Sequence, residues 1–102
     1  MNTAEFKRYV QAQSNIETIY LAKVTAKLTE QNDNRKERVQ LTPYKIQQNA
    51  EKLYDGVITD LYQKLQASIK SDQRDAWITY LSENEVLDNI ELEMNEMSLD
   101  DD

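Results

Sequence analysis

Apolar residues in the first third of the chain recur at helical spacing. With successive residues placed about 100° apart, one arc of about 120° contains nine side chains. They are Phe6, Tyr9, Val10, Gln13, Glu17, Tyr20, Leu21, Val24 and Leu28. Ile16 lies at the edge of this arc and Ile19 lies outside it. With Thr3 as the N-cap and Glu5 in the first turn, the pattern predicts one long amphipathic helix over residues 3–30.

A second apolar stripe follows a helix start signal at Thr42-Pro43. Threonine is a common N-cap, and proline at the first helical position loses no hydrogen bond. The apolar positions that follow are Ile46, Ala50, Leu53, Val57, Leu61, Leu65 and Ile69, widened to nearly half of the circumference by Tyr54, Ile58 and Tyr62. The pattern predicts a central helix over residues 43–70 that contacts more than one neighbour.

Asp55-Gly56, in the middle of this second stripe, allows a different interpretation. An Asp-Gly pair between hydrophobic residues is a common hairpin turn. The flanking residues do not alternate, however, whereas the helical period continues through the pair. We therefore favour a continuous helix, in which Gly56 would permit the close approach of another helix.

The connection between the two long helices is predicted to be a loop followed by a short arm. Residues 31–38 are polar throughout. Val39, Gln40 and Leu41 alternate between apolar and polar, which is typical of an extended segment that packs two side chains.

The last third of the chain predicts one or two short helices. Ser71-Asp72 is a break and a start signal for a helix over residues 72–82. Ser82 and Glu85 have the spacing of a capping box, which predicts a separate helix over residues 84–97 unless the preceding helix continues through it. The expected buried positions are Ala76, Trp77, Tyr80 and Leu81 in the first segment and Val86, Leu87, Ile90, Met94 and Met97 in the second.

The scarcity of turn-forming residues favours an all-α fold. One Gly and one Pro in 102 residues provide few of the turns that strands need. We expect a small antiparallel helical bundle of two long helices plus one or two short C-terminal helices. It would form a single domain over residues 1–97, followed by an acidic tail over residues 98–102.

Composition excludes several kinds of chemistry. The chain has neither Cys nor His, so it lacks thiolate chemistry, the usual zinc ligands and the commonest general base. No glycine-rich phosphate loop or twelve-residue calcium loop occurs. We expect no enzyme activity, no cofactor and no dedicated metal site. No apolar run approaches the roughly 18 residues of a membrane span, and the polar N-terminus lacks a signal peptide, so we expect a cytoplasmic protein.

Charge is distributed unevenly along the chain. Residues 75–102 carry 10 acidic and 0 basic side chains, whereas residues 1–74 carry 12 basic and 9 acidic, which together give the net charge of −7. The acidic segment has three open interpretations. It is a solvated helix face with a frayed tail, or a docking helix whose apolar stripe enters a groove with a basic rim, or a mimic of nucleic acid.

Candidate partner contacts fall in and beside this acidic segment. Trp77 and Tyr80, three residues apart, are either a plug in the core or, if exposed, anchors for a partner. The full set of predicted contacts is Trp77, Tyr80, Glu83, Glu85, Asp88, Glu91, Glu93, Met94, Glu96, Met97, Asp100, Asp101 and Asp102. A small basic zone at Arg35, Lys36 and Arg38 is the candidate nucleic-acid contact, although the net charge of −7 opposes such binding.

These observations favour a small non-enzymatic helical protein that binds another protein. The partner would present a basic surface to the acidic C-terminal segment, as expected of an inhibitor, an immunity-type protein or a regulatory factor. The alternative is a homo-oligomeric structural or assembly factor, such as an adaptor of a phage particle or secretion apparatus, because the apolar arc of the central helix is wide. The second alternative is an acidic nucleic-acid mimic.

Overall fold

The computed structural model describes residues 1–97, with Arg38 described by its backbone alone. Within this range the chain forms five α-helices, one short 3-10 helix and no strand. The helices are α1 (Thr3–Gln13), α2 (Ile16–Asp33), α3 (Pro43–Ile69), α4 (Arg74–Glu83) and α5 (Val86–Glu96). The predicted all-α class is confirmed. The predicted first long helix is wrong, because the chain forms two helices there.

The break between α1 and α2 is held by side-chain hydrogen bonds. The hydroxyl of Ser14 donates to the carbonyl of Val10 at 2.7 Å and accepts from the amide of Ile16 at 3.4 Å. Serine and asparagine compete in this way with the helical backbone, and Ser14-Asn15 ends the helix. The resulting turn buries Ile16 completely, although the periodicity placed it at the edge of the apolar stripe.

The first helix also starts differently from the prediction. Asn2, not Thr3, is the N-cap, and its side chain accepts from the amide of Glu5 at 2.8 Å. The Glu5 carboxylate accepts from the amide of Asn2 at 3.4 Å, which completes a capping box.

Helices α2 and α3 pair as a hairpin. Asn32 lies near Leu41, and the rings of Tyr20 and Tyr54 lie 5.7 Å apart, so the two helices run in opposite directions. The buried side chain of Asn32 donates to the carbonyl of Leu41 at 3.0 Å and accepts from its amide at 2.6 Å. These two bonds close the connection between the helices.

The connection itself corrects two predictions. Residues 31–33 belong to α2 rather than to a loop. Glu37–Val39 is a 3-10 helix rather than part of an extended arm, and Val39 is 52% exposed instead of packed.

Helix α3 follows the prediction closely. The Thr42 hydroxyl accepts from the amide of Lys45 at 3.2 Å, Pro43 is the first helical residue, and the helix continues through Gly56. The predicted close approach at Gly56 is wrong, because a Cβ atom placed there would meet nothing within 4 Å. Helices α1, α2 and α4 all contact α3, so most of its wide apolar arc is covered within the chain, although Leu53 of that arc is 49% exposed.

An aromatic cluster joins α1, α3 and α4. The ring of Trp77 stacks on Tyr62 at 4.8 Å between centroids and meets Phe6 edge-on at 5.9 Å. Its indole N–H donates to the carbonyl of Ser71 at 2.6 Å, which satisfies the polar atom of a fully buried side chain. The predicted cap at Ser71-Asp72 is wrong, because Gln73 is the N-cap of α4 and makes no side-chain capping bond.

A tight turn separates α4 from α5. The predicted capping box is wrong, because Ser82 lies inside α4 and the side chain of Glu85 caps nothing. Glu85 instead takes a left-handed backbone conformation, with φ of 50°, and redirects the chain. Of the two predicted alternatives, the separate C-terminal helix is the one observed.

Helix α5 lies along α2 and ends beside Lys23. The ammonium of Lys23 donates to the carbonyls of Asn95 at 3.2 Å and Met97 at 2.7 Å, where a cation also favours the helix dipole. Beyond Lys23, within residues 1–97, the ten residues 24–33 of α2 pair with the start of α3 and extend for about 15 Å. The chain is accordingly elongated, measuring 50 × 24 × 22 Å.

Candidate interaction surface on the C-terminal helix

The apolar stripe of α5 is covered by the chain itself. Leu87 and Met94 are each only 8% exposed, and Val86, Ile90 and Met97 are half-buried. Apart from Met97, the stripe belongs to the same hydrophobic core as Phe6 and Trp77. A partner groove cannot receive this stripe while α5 stays packed, so the docking interpretation in its original form does not fit the packed chain.

The structure corrects two of the predicted partner contacts. Trp77 is 0% exposed and Met94 is 8% exposed, so neither offers a surface to another protein. The large apolar area of each side chain is already used in the core. Tyr80 is half-buried and lies beside Ile69 in a groove between α3 and α4. Trp77 is therefore the core plug rather than the anchor.

The opposite side of α5 faces solvent. Asp88, Leu92 and Glu96 are spaced four residues apart and form one row along the helix. We call these three residues the α5 outer face. Leu92 is 60% exposed at its centre, and its two neighbours in the row are exposed carboxylates. An apolar side chain is thus displayed between two negative charges on a helix that the core holds in place.

Leu92 was not among the predicted contact residues. The predicted contacts were acids of this segment and a few large apolar residues, and Leu92 lies on the opposite side of the helix from the apolar stripe. Placing the residues of α5 at intervals of about 100° would have identified Leu92 as exposed, because a single leucine on a polar helix face does not point into the core. Single exposed leucines are common on protein surfaces. Leu92 differs from most of them because two carboxylates flank it and the packed helix fixes its position.

The remaining predicted acidic contacts lie around this face. Glu83, Glu85 and Glu93 are exposed, whereas Glu91 is half-buried. They are spread over the α4–α5 turn and both sides of α5. Asp100, Asp101 and Asp102 lie outside the described residues, and so does the predicted tail over residues 98–102.

Two ion pairs within residues 1–97 lie away from the acidic row of α5. One ion pair joins Lys7 to Asp55 at 2.6 Å, and another joins Arg74 to Glu5 at 3.7 Å. Neither pair involves an acid of α5, and Lys23 contacts backbone carbonyls rather than a carboxylate. The carboxylates of Asp88 and Glu96 are exposed, so their field would attract a positively charged surface.

The predicted basic zone lies at the far end of the hairpin. Arg35 and Lys36 are both exposed there, close in sequence to the exposed side chains of Val39 and Tyr44. The side chain of Arg38 lies outside the described structure. The structure thus places the two exposed cations away from α5 instead of pairing them with its acids.

Two buried polar atoms within residues 1–97 have no hydrogen-bond partner. They are the hydroxyl oxygen of Tyr54 and Oε2 of Glu17. Burial raises the pKa of the Tyr54 hydroxyl, and the charges of Glu17 and Asp55 raise it further. Both atoms are enclosed between packed helices, so they form no open site for a substrate.

Within residues 1–97, no group of three acidic side chains is arranged to hold a metal ion. No helix in this range is both long enough and apolar enough to cross a bilayer.

Comparison with known proteins gives no relative. No protein-family model matches the chain, and neither a curated protein nor a solved structure matches it.

Proposed function

We propose that this chain is a non-enzymatic protein that binds another protein through the α5 outer face. The partner would present an apolar depression for Leu92 with basic side chains at its rim. The single observation that carries this proposal is the 60% exposure of Leu92 between Asp88 and Glu96. A leucine in that position loses water contact only when a second surface covers it.

The packing of α5 supports the proposal because it reduces the cost of binding. The helix is already formed and is fixed by its buried stripe, so a partner need not order it. The flanking carboxylates would speed the encounter with a basic surface and select against acidic ones. An inhibitor, an immunity-type protein or a regulatory factor would be compatible with such a surface, and a cytoplasmic location remains a prediction from the sequence.

Leucine variants with a matched control test this proposal. Leu92→Ser removes the apolar centre of the α5 outer face, whereas Leu53→Ser removes a leucine that is 49% exposed on α3. With the full chain as bait in a lysate of the organism that encodes it, we expect Leu92→Ser to reduce capture of the partner at least tenfold. Leu53→Ser should retain the partner, and equal capture by both variants would contradict the proposal.

Variants that remove charge separate the electrostatic attraction of the partner from the apolar contact at Leu92. Asp88→Asn with Glu96→Gln keeps the side-chain sizes and removes two charges from the face. We expect slower association and a weaker dependence on salt, with a smaller effect on dissociation. Asp60→Asn, at an exposed acid of α3, is the control and should change neither rate.

A homo-oligomeric assembly factor is the second candidate. Its original support, the wide apolar arc of α3, is weakened, because three helices of the same chain cover that arc except at the exposed Leu53. A different observation does favour it. Val39 and Tyr44 are 52% and 68% exposed beside the cations at the end of the hairpin.

A further inference from the structure

The end of the α2–α3 hairpin is a second surface with exposed apolar side chains. We call Arg35, Lys36, Val39, Tyr44 and Lys45 the hairpin tip. All five are exposed, and the large apolar side chains of Tyr44 and Val39 are 68% and 52% exposed. The tip thus combines two apolar side chains with three cations.

Hydrogen bonds give the hairpin tip a defined shape. The amide of Val39 donates to the carbonyl of Lys36 at 2.9 Å, and the side chain of Asn32 holds both backbone groups of Leu41. The hydroxyl of Tyr44 accepts from the side-chain amide of Gln48 at 3.0 Å, which orients the ring along α3. A surface formed in advance loses less entropy on binding than a loop that must be ordered.

The hairpin tip is complementary to the α5 outer face. The tip offers cations around Tyr44 and Val39, whereas the face offers carboxylates around Leu92. The apolar side chains of the tip would contact Leu92, and the cations of the tip would lie opposite the carboxylates of the face. An apolar centre with a polar rim is the usual arrangement of a protein interface. Tyrosine is among the residues that most often dominate binding energy.

We infer that the hairpin tip of one copy docks on the α5 outer face of a second copy. This inference rests on the proposed function, because it uses the same face and names the partner. Within one chain the contact is excluded, since α5 turns its stripe inward and ends beside Lys23, while the tip lies about 15 Å further along the hairpin. The two surfaces differ, so the contact is head-to-tail and propagates from copy to copy unless a ring closes it.

Nucleic acid is the other ligand that a basic tip could attract, and the observations favour it less. The net charge of −7 repels phosphate at long range, and Glu37 lies exposed among the cations of the tip. A phosphate backbone would also leave the apolar side chain of Val39 uncovered.

A pair of half-disabled variants tests the head-to-tail contact. The first variant, Lys36→Gln with Tyr44→Ser, disables the tip and keeps the face. The second, Asp88→Asn with Leu92→Ser, disables the face and keeps the tip. All four positions are exposed, so both variants should fold, as far-ultraviolet circular dichroism will check.

The expected result is read from molar mass by light scattering. We expect the wild-type mass to rise above the 12.0 kDa of one chain as concentration increases from micromolar to millimolar. Each variant alone should remain at the mass of one chain. An equimolar mixture retains one intact tip and one intact face, so it should form a dimer and stop there. Leu53→Ser is the control and should associate like the wild type.

Three outcomes would overturn the inference. The first is a wild-type mass of 12.0 kDa at all concentrations. In that case the proposed function would still hold if the wild type captured a different protein from the lysate and Leu92→Ser did not. The second is association that persists in either variant. The third is a mixture that remains monomeric. A gel shift of DNA or RNA that requires Arg35 and Lys36, from a chain that stays monomeric, would assign the tip to nucleic acid.

Discussion

The unpaired hydroxyl of Tyr54 leads to a prediction about stability. Tyr54 is 2% exposed, and its hydroxyl oxygen has no hydrogen-bond partner within residues 1–97. Tyr54→Phe removes this oxygen and keeps the ring, which packs against Tyr20 at 5.7 Å between centroids. We therefore expect the variant to be more stable than the wild type, although most core substitutions destabilise.

The magnitude follows from the cost of burying a hydroxyl. Protein data place the burial of an unpaired polar group at roughly 1–3 kcal/mol. Part of this is offset by the small void that replaces the oxygen, so we expect a net gain of about 1 kcal/mol in the free energy of unfolding. In a domain of this size, such a gain raises Tm by about 4–8 °C.

The same hydroxyl gives the stability a dependence on pH. Burial, with smaller effects of Glu17 and Asp55, raises the pKa of Tyr54 in the folded chain, whereas the unfolded chain loses this proton near pH 10. Above about pH 10 the unfolded state therefore binds fewer protons, and the wild-type free energy of unfolding falls by up to about 1.4 kcal/mol per pH unit. Tyr54→Phe lacks this contribution, so its advantage should be constant below about pH 10 and grow above it.

Urea unfolding at neutral pH and at about pH 11 measures both effects. Tyr44→Phe is the matched control, because Tyr44 is 68% exposed and its loss of a hydroxyl should change stability by less than about 0.5 kcal/mol. If Tyr54→Phe were destabilised by about 1 kcal/mol or more at neutral pH, the hydroxyl would have a hydrogen-bond partner in solution, which would contradict its unpaired state.

Three further substitutions test local features, each by urea or thermal unfolding. Gly56→Ala should stabilise the chain by about 0.5–1 kcal/mol, because a Cβ in the middle of α3 meets nothing within 4 Å; a loss of stability would mean that a neighbour is closer. Asn32→Ala should cost about 1–3 kcal/mol, because both backbone groups of Leu41 lose their partner; a neutral result would show that water replaces it. Lys70→Gly should gain up to about 1 kcal/mol at a left-handed C-cap with φ of 56°, and a neutral or negative result would contradict this view of the cap.

Helix α3 could be predicted almost to the residue, whereas the break after α1 could not. Thr42-Pro43 is a start signal, and the apolar stripe continues to Ile69, so local chemistry and periodicity agree. At Ser14-Asn15 local chemistry and periodicity conflict. The apolar arc continues through these two residues, although they form a turn that ends α1. Periodicity reports which side chains face the core, not whether one helix or two present them.

The position of the candidate surface was predictable from charge, but its centre was not. The acids after Arg74 pointed to the C-terminal segment. Which side chains of α5 face solvent depends on how the helix packs, and the packing depends on the turn at Glu85. Glu85 has a left-handed conformation, which usually favours glycine, so the sequence does not reveal this turn. The consequence is that Trp77 and Met94 are buried and Leu92 is the exposed residue.

The elongated shape of the chain affects how its mass must be measured. The radius of gyration is 15.9 Å, whereas a compact chain of about 100 residues has a value near 13 Å. A rod-like molecule tumbles and diffuses more slowly than a sphere of equal mass. A single copy should therefore elute early from a sizing column, at a position that globular standards would assign to a larger protein.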